Sequence, residues 1–309
     1  MDPGPAPGTS GWALLHTGDP RYPAQLAAVR GCPDPLFVRG DPAALALPQL
    51  AIVGSRAASP AGRETAFEFA AALAARGLAI TSGLAAGIDA AAHRGALAAG
   101  GVTIAVCGTG LDRVYPAEHA GLAAEIARRG ALVSEFPPGT PPLAENFPQR
   151  NRLMSGLSRG VLVIEAAARS GSLITARHAG EQGRDVLAVP GSIHNALARG
   201  CHRLIKDGAA LVETPDDVIA ALGFRGFFPA NPASCGAAEA EVPGARLDSD
   251  TEILLNALGF EPADLDRLVE RTGFPPQAVV SKLQLLELEG RVESLAGGRF
   301  SRTPPRRTR

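Results

Sequence analysis

Between residues 50 and 212 the sequence alternates short apolar runs with helical stretches, and this rhythm restricts the fold more than any other feature. The runs lie at 51–53, 78–81, 102–107, 131–133, 161–164, 186–189 and 209–212. Those at 161–164 and 186–189 have the length and β-branched content of strands buried on both faces. Residues 61–75, 88–99, 117–129 and 172–181 read as helices between them. Alternation of this kind predicts βαβ units, hence an α/β fold with an extended, Rossmann-like, mostly parallel sheet and helices on both faces. In such sheets ligands bind beyond the carboxyl ends of the strands.

Residues 146–191 carry the densest functional signal. The small, polar turn Ser170-Gly171-Ser172 follows the run at 161–164 and opens the helix at 172–181. A turn of this kind is expected to offer free backbone N–H groups to an anion. Upstream stands Gln149-Arg150-Asn151-Arg152, a cluster of long donors whose two arginines are expected to supply counter-charge. Further small-residue turns fall after other strands: Gly54-Ser55-Arg56, Ser82-Gly83-Leu84 and Gly108-Thr109-Gly110. One glycine turn means little, but several at one edge make a surface. Arg56, Arg150 and Arg152 are expected to converge on it and contact phosphate.

The remaining chain frames this domain. Residues 1–10 are rich in Pro and Gly and are expected to be disordered. Residues 11–40 hold Tyr22-Pro23, Cys32-Pro33 and Asp34-Pro35, which fits an extended arm with one short helix at 24–29. The domain thus spans 11–224, and 225–248 reads as a linker. Three short amphipathic helices at 250–258, 263–272 and 276–289 precede strands at 291–295 and 299–302, the pattern of a winged helix over 249–303. A basic tail, 304–309, ends the chain. Net charge is −1, so any anion site must be local. The amino terminus lacks a charged and apolar leader pattern, and no run approaches the ~20 apolar residues of a membrane span. A cytoplasmic protein with no membrane contact is expected. The four cysteines show no metal-ligand spacing.

Chemistry is thinly represented. Gly108-Thr109-Gly110-Leu111-Asp112-Arg113 offers two glycines of a dinucleotide fingerprint, but Arg113 occupies the third position, where close helix packing needs glycine. Glu135 and Glu165 follow strand ends without a histidine partner in an identifiable frame, and there is neither a nucleophile elbow nor a Walker A sequence. No cofactor, metal or catalytic residue is expected. Phosphate binding without bond cleavage survives this filter.

The ordered motifs resemble the DNA-processing protein A family (DprA, also called Smf). They are Val53-Gly54-Ser55-Arg56, Ser82-Gly83-Leu84-Ala85-Ala86-Gly87-Ile88-Asp89, Gly108-Thr109-Gly110-Leu111-Asp112 with Tyr115-Pro116, Phe147-Pro148-Gln149-Arg150-Asn151-Arg152, Ser170-Gly171-Ser172-Leu173-Ile174-Thr175-Ala176 and Val189-Pro190-Gly191. The resemblance implies single-stranded DNA as ligand, RecA recombinase as partner, and homodimerisation through the Rossmann-like domain. Its implied role is to protect DNA entering the cell in natural transformation and to load RecA for recombination. Carried over, the contacts fall on Gly54, Ser55, Arg56, the Gly108–Gly110 turn, Arg150 and Arg152, while a lysine frequent after Tyr-Pro is here Ala117. Phe147, Tyr115 and Arg113 are possible base stackers. The competing reading is a phosphoribohydrolase-like nucleotide hydrolase, disfavoured because Ala168-Arg169-Ser170-Gly171-Ser172 replaces its Pro-Gly-Gly-x-Gly-Thr turn. A duplex-specific regulator is disfavoured by the winged helix itself, with nine acidic and five basic side chains over 249–300.

Overall fold

The computed structural model describes residues 11–224, 249–259 and 262–303; the expected disordered tail, linker and basic tail lie outside the described residues. The chain forms two compact units, a large α/β unit and a small carboxyl-terminal one.

The α/β unit runs β1 (Ala13–Leu15), α1 (Ala24–Ala27), β2 (Leu36–Gly40), β3 (Gln49–Gly54), α2 (Pro60–Ala75), β4 (Ala79–Ser82), α3 (Ile88–Ala98), β5 (Thr103–Val106), α4 (Ala120–Arg129), β6 (Ala131–Ser134), α5 (Asn146–Leu157), β7 (Gly160–Ile164), α6 (Ser172–Glu181), β8 (Asp185–Ala188), α7 (Arg199–Lys206), β9 (Ala210–Leu211) and α8 (Pro215–Ala221). Its nine strands lie in the order β1-β2-β6-β5-β4-β3-β7-β8-β9. The seven from β6 to β9 are mutually parallel, and β1 and β2 add antiparallel at one end.

The continuous apolar runs follow from burial on both faces. Along each strand the side chains alternate. Ala51, Val53, Val161 and Val163 enter one core with Leu26, Leu153, Ala176 and Cys201, so α1, α5, α6 and α7 cover that face. Leu50, Ile52, Leu162 and Ile164 enter the other with Leu73, Ile88 and Val218 from α2, α3 and α8. Truncating the fully buried Leu162 to alanine would cost about 2–5 kcal/mol. The strand order reverses between β3 and β7. Chains leaving these two neighbours diverge, which opens a crevice at their carboxyl ends.

Two segments differ from the sequence expectation. The arm over 11–40 is not merely extended: it supplies β1 and β2, with Phe37 opposite Ser134 and Gly40 opposite Ala131. Its partner strand lies far downstream, so no local pattern announces the pairing. Tyr22 Oη donates to Pro33 O at 2.7 Å and closes the arm's loop. The donor cluster around Arg150 sits on a helix, α5, although Pro148 falls in its first turn. Proline is tolerated there because that turn's N–H groups have no intrahelical partner.

The small unit comprises α9 (Ser249–Leu258), β10 (Ala263–Asp264), α10 (Leu265–Thr272), α11 (Pro276–Leu288), β11 (Val292–Leu295) and β12 (Arg299–Arg302). Its sheet order is β10-β12-β11. Leu254, Leu258, Leu268, Val279, Leu283 and Leu286 form its core. The helix expected from Ala263 begins two residues later, since Ala263 and Asp264 pair with β12. Asp264 then caps α10 by accepting from Arg267 N at 2.8 Å. Three helices and a two-stranded wing make this a winged helix.

Candidate nucleic-acid interface

At the switch between β3 and β7 lies an open cleft of about 650 Å³. Three segments wall it: Gly54-Ser55-Arg56 after β3, Ser170-Gly171-Ser172 at the start of α6, and the first half of α5. Their positions are set by close backbone approach. A Cβ on Gly54 would fall 1.9 Å from Ile164 O, so only glycine lets β3 leave the sheet there. Ser55 N donates to Glu165 O at 2.7 Å. Glu165 itself has φ of 53°, and Leu84, after β4, has φ of 60°. Left-handed backbone is unfavourable for such residues and collects at functional sites.

Helix α5 crosses the ends of the neighbouring strands. Asn146 Nδ2 donates to Gly108 O at 3.0 Å and Arg150 Nη1 to Val106 O at 2.5 Å. The Phe147 ring rests on Gly108, where a Cβ would stand 3.0 Å from the ring. Half-buried Phe147 has Tyr115 as a tilted neighbour, centroids 5.5 Å apart. Arg56 Cζ lies 5.5 Å from the Phe147 centroid and Arg150 Cζ 5.9 Å, within cation–π range. Arg56 is exposed and, among the described residues, joins no ion pair. The cleft therefore presents one available guanidinium against an aromatic pair.

The structure brings together Gly54, Ser55, Arg56, Arg150, Asn151, Ser170, Gly171 and Ser172 around this cleft. Gly83 and Gly108 lie beneath it, under the side chains of Arg150 and Phe147. Several of the expected residues are placed differently. Arg150 is only 3% exposed and does not stand on the rim. Arg152 turns away and pairs with Glu135, to which Gln149 also donates. Two of the three arginines expected to converge on phosphate thus have protein partners, Arg150 fully buried and Arg152 partly so. Thr109 and Gly110 are buried. Ser134 Oγ donates to Thr109 O, and Gly110 N donates to Thr140 O. Arg113 is exposed outside the cleft, 3.6 Å from Asp112. The start of α6 is not a row of free amides either. Ser172 N donates to Ser170 Oγ, Leu173 N to Ser170 O and Ile174 N to Gly171 O. The turn offers hydroxyls, with Ser170 and Ser172 Oγ atoms 2.7 Å apart, and Asn151 Nδ2 braces it through Gly171 O.

Electrostatics separates the buried groups from the rim. Burial raises the Asp89 pKa, opposed by the Arg150 charge and by the Ala85 and Gly83 amides. Burial lowers that of Arg150, opposed by Asp89. Glu135 is likewise raised by burial, with Arg152 opposing. His93, fully buried against Thr103 Oγ1, is pushed down to about 3 by desolvation, with His119 and Arg150 adding to the effect.

A family model described as DNA recombination-mediator protein A matches residues 13–223, and one described as the DprA winged helix domain matches residues 238–298. The chain belongs to the DprA family. Within that family, Protein Smf of Escherichia coli K12 is 49% identical over 287 residues, 92% of this chain and 76% of the relative. The DNA processing protein DprA of Streptococcus pneumoniae is 48% identical over 206 residues, 67% of this chain and 73% of the relative. The crystallographic DprA of S. pneumoniae aligns with a TM-score of 0.66 at 47% identity, covering 68% of this chain and 74% of that one. The DprA of Helicobacter pylori, whose structure addresses its single-stranded DNA binding mode, aligns with a TM-score of 0.62 at 29% identity, covering 68% and 95%.

Against the DprA motifs, sequence reasoning left two cleft residues without a role. Asp89 ends the Ser82–Asp89 motif, and its carboxylate caps the Gly83 turn from inside. Thr175 lines the cleft one turn after Ser172, and its buried Oγ1 has no partner among the described residues. The i, i+3 spacing from Ser172 was the available signal.

Proposed function

We propose that this DprA-family chain is a non-catalytic single-stranded DNA-binding protein that protects incoming DNA and promotes RecA loading in transformation and recombination. The strand lies across the switch-point cleft. The observation that carries this reading is the pairing of exposed Arg56 with the Phe147–Tyr115 aromatics at one edge. A guanidinium for phosphate beside a ring for base is the minimal unit of sequence-independent strand binding. Ser170, Ser172 and Asn151 line the opposite wall. The cleft's carboxylate, Asp89, is tied to two amides and faces Arg150, which disfavours a hydrolase using it as a base. The test is fluorescence anisotropy of oligo(dT) across a salt series. Arg56→Ala should weaken binding and reduce the log–log salt slope by about 0.7. Unchanged affinity and slope would remove the cleft from consideration, and release of base from nucleoside monophosphates would favour the phosphoribohydrolase alternative.

Homodimerisation belongs to the α/β unit in this reading. Its β9 edge leaves Ala210 and Leu211 exposed, an open strand end of the kind that proteins cover. The winged helix serves protein contact. On α11, Lys282 Nζ lies 3.8 Å from Asp250, and Leu285 and Leu288 are 51% and 87% exposed. A major-groove reader brings a basic face instead.

A further inference from the structure

We propose that Asp89 and Arg150 form a buried positioning pair that fixes the Phe147 ring for base stacking, so that Arg150 strengthens strand binding without contacting phosphate. This rests on the reading that the cleft binds single-stranded DNA. Both side chains are buried, at 6% and 3% exposure, and both line the cleft from beneath. Both reach Gly83: a Cβ there would lie 2.2 Å from Arg150 Nη1 and 2.6 Å from Asp89 Oδ2, and the two act on each other through charge rather than through a hydrogen bond. Each anchors a different strand end. Asp89 accepts from Gly83 N at 3.1 Å, fixing the turn after β4. Arg150 donates to Val106 O, fixing α5 to β5 one turn below Phe147.

Phe147 is held between Gly108 on the sheet side and the guanidiniums of Arg150 and Arg56. Arg150 is one helical turn from Phe147, the spacing at which side chains on a helix meet. A cation buried this deeply must be compensated: Val106 O accepts from Nη1 and the Asp89 charge opposes desolvation, while Nε has no partner among the described residues. Arg56, exposed on the other hand, is placed to meet one. The two arginines near one ring therefore have different duties.

Salt dependence separates these duties, because only a phosphate contact releases counterions. The experiment is oligo(dT) anisotropy on the full chain across a salt series, with stoichiometry checked by tight-binding titration at low salt. Arg150→Gln should lower affinity about tenfold, the scale of one lost base stack, with stoichiometry and slope unchanged. Phe147→Leu should do the same, and the double variant should be no weaker than either alone, since one interaction is lost twice. Asp89→Asn keeps the guanidinium and repeats the test should Arg150→Gln fail to fold. A slope reduced by about 0.7 in Arg150→Gln, additive losses with Phe147→Leu, or wild-type affinity in Asp89→Asn would overturn the proposal. Arg56→Ala runs in parallel: if it changes nothing, the cleft reading fails, whereas a reduced slope there keeps that reading independent of the Asp89–Arg150 result.

Discussion

Gly54→Ala is the sharpest test of how the cleft is built. The added methyl would sit 1.9 Å from Ile164 O, 2.5 Å from Ile88 Cγ1 and 3.0 Å from Glu165 O. Two of these atoms are backbone, one in the central strand β7, so no flexible side chain can swing aside. Overpacking of a core costs about 1–3 kcal/mol, and a rigid backbone partner puts this case near the top of that range. For a unit of this size each kcal/mol lowers Tm by roughly 2–4 °C, so a loss of about 6–12 °C is expected. The hydrogen bond from Ser55 N to Glu165 O must lengthen as β3 and β7 part, which moves Arg56 and weakens strand binding. Gly171→Ala is the control. It has nothing within 4 Å and a helical φ of −62°, so Tm should hold or rise slightly. Thermal unfolding by circular dichroism and oligo(dT) anisotropy read both effects. A Gly54→Ala protein melting within about 2 °C of wild type would refute the account of the switch point.

Other outcomes follow from groups away from the cleft. His93 is neutral when folded and charged when unfolded between its folded value of about 3 and the ordinary 6.5. The unfolded state therefore binds more protons as pH falls, and between about pH 6 and pH 4 each pH unit removes about 1 kcal/mol. Denaturant melts of His93→Gln should be flatter than wild type from pH 6 to pH 4. Arg152→Ala should lose about 2–3 kcal/mol of stability by stranding Glu135, while its salt slope for oligo(dT) stays at the wild-type value. Burial raises the Cys107 and Cys201 thiols to about 11, so both should react with a thiol reagent only on unfolding, ahead of which half-exposed Cys32 is labelled. Leu285→Ser with Leu288→Ser should leave stability and single-strand affinity unchanged, since both side chains are exposed on the small unit.

The sheet was legible because its strands are buried on both faces. Runs such as 161–164 can be nothing polar, and alternation with helices dictates parallel pairing. Residues 172–181 were located to the residue for the same reason: small turn, helix, then the next run. What escaped was non-local or electrostatic. Strands β1 and β2 are three and five residues long among prolines, and β6, the strand that β2 pairs with, lies far downstream. The site is a similar case. The motifs place Arg56, Arg150 and Arg152 alike near one edge, but sequence spacing carries no burial. Whether an arginine faces solvent is decided by what α5 lies against. Pro148 hid that helix, and with it the reason Arg150 points inward and Arg152 toward Glu135.

The closed amides at the start of α6 have a consequence for selectivity. Because Ser170 and Gly171 already satisfy them, the start of α6 offers no row of free amides to a solitary anion. In the proposed reading a free nucleotide engages only the edge formed by Arg56 and the Phe147–Tyr115 pair. A strand, in the same reading, can engage both walls of the cleft at once, so oligo(dT) affinity is expected to rise with length while a mononucleotide competes weakly.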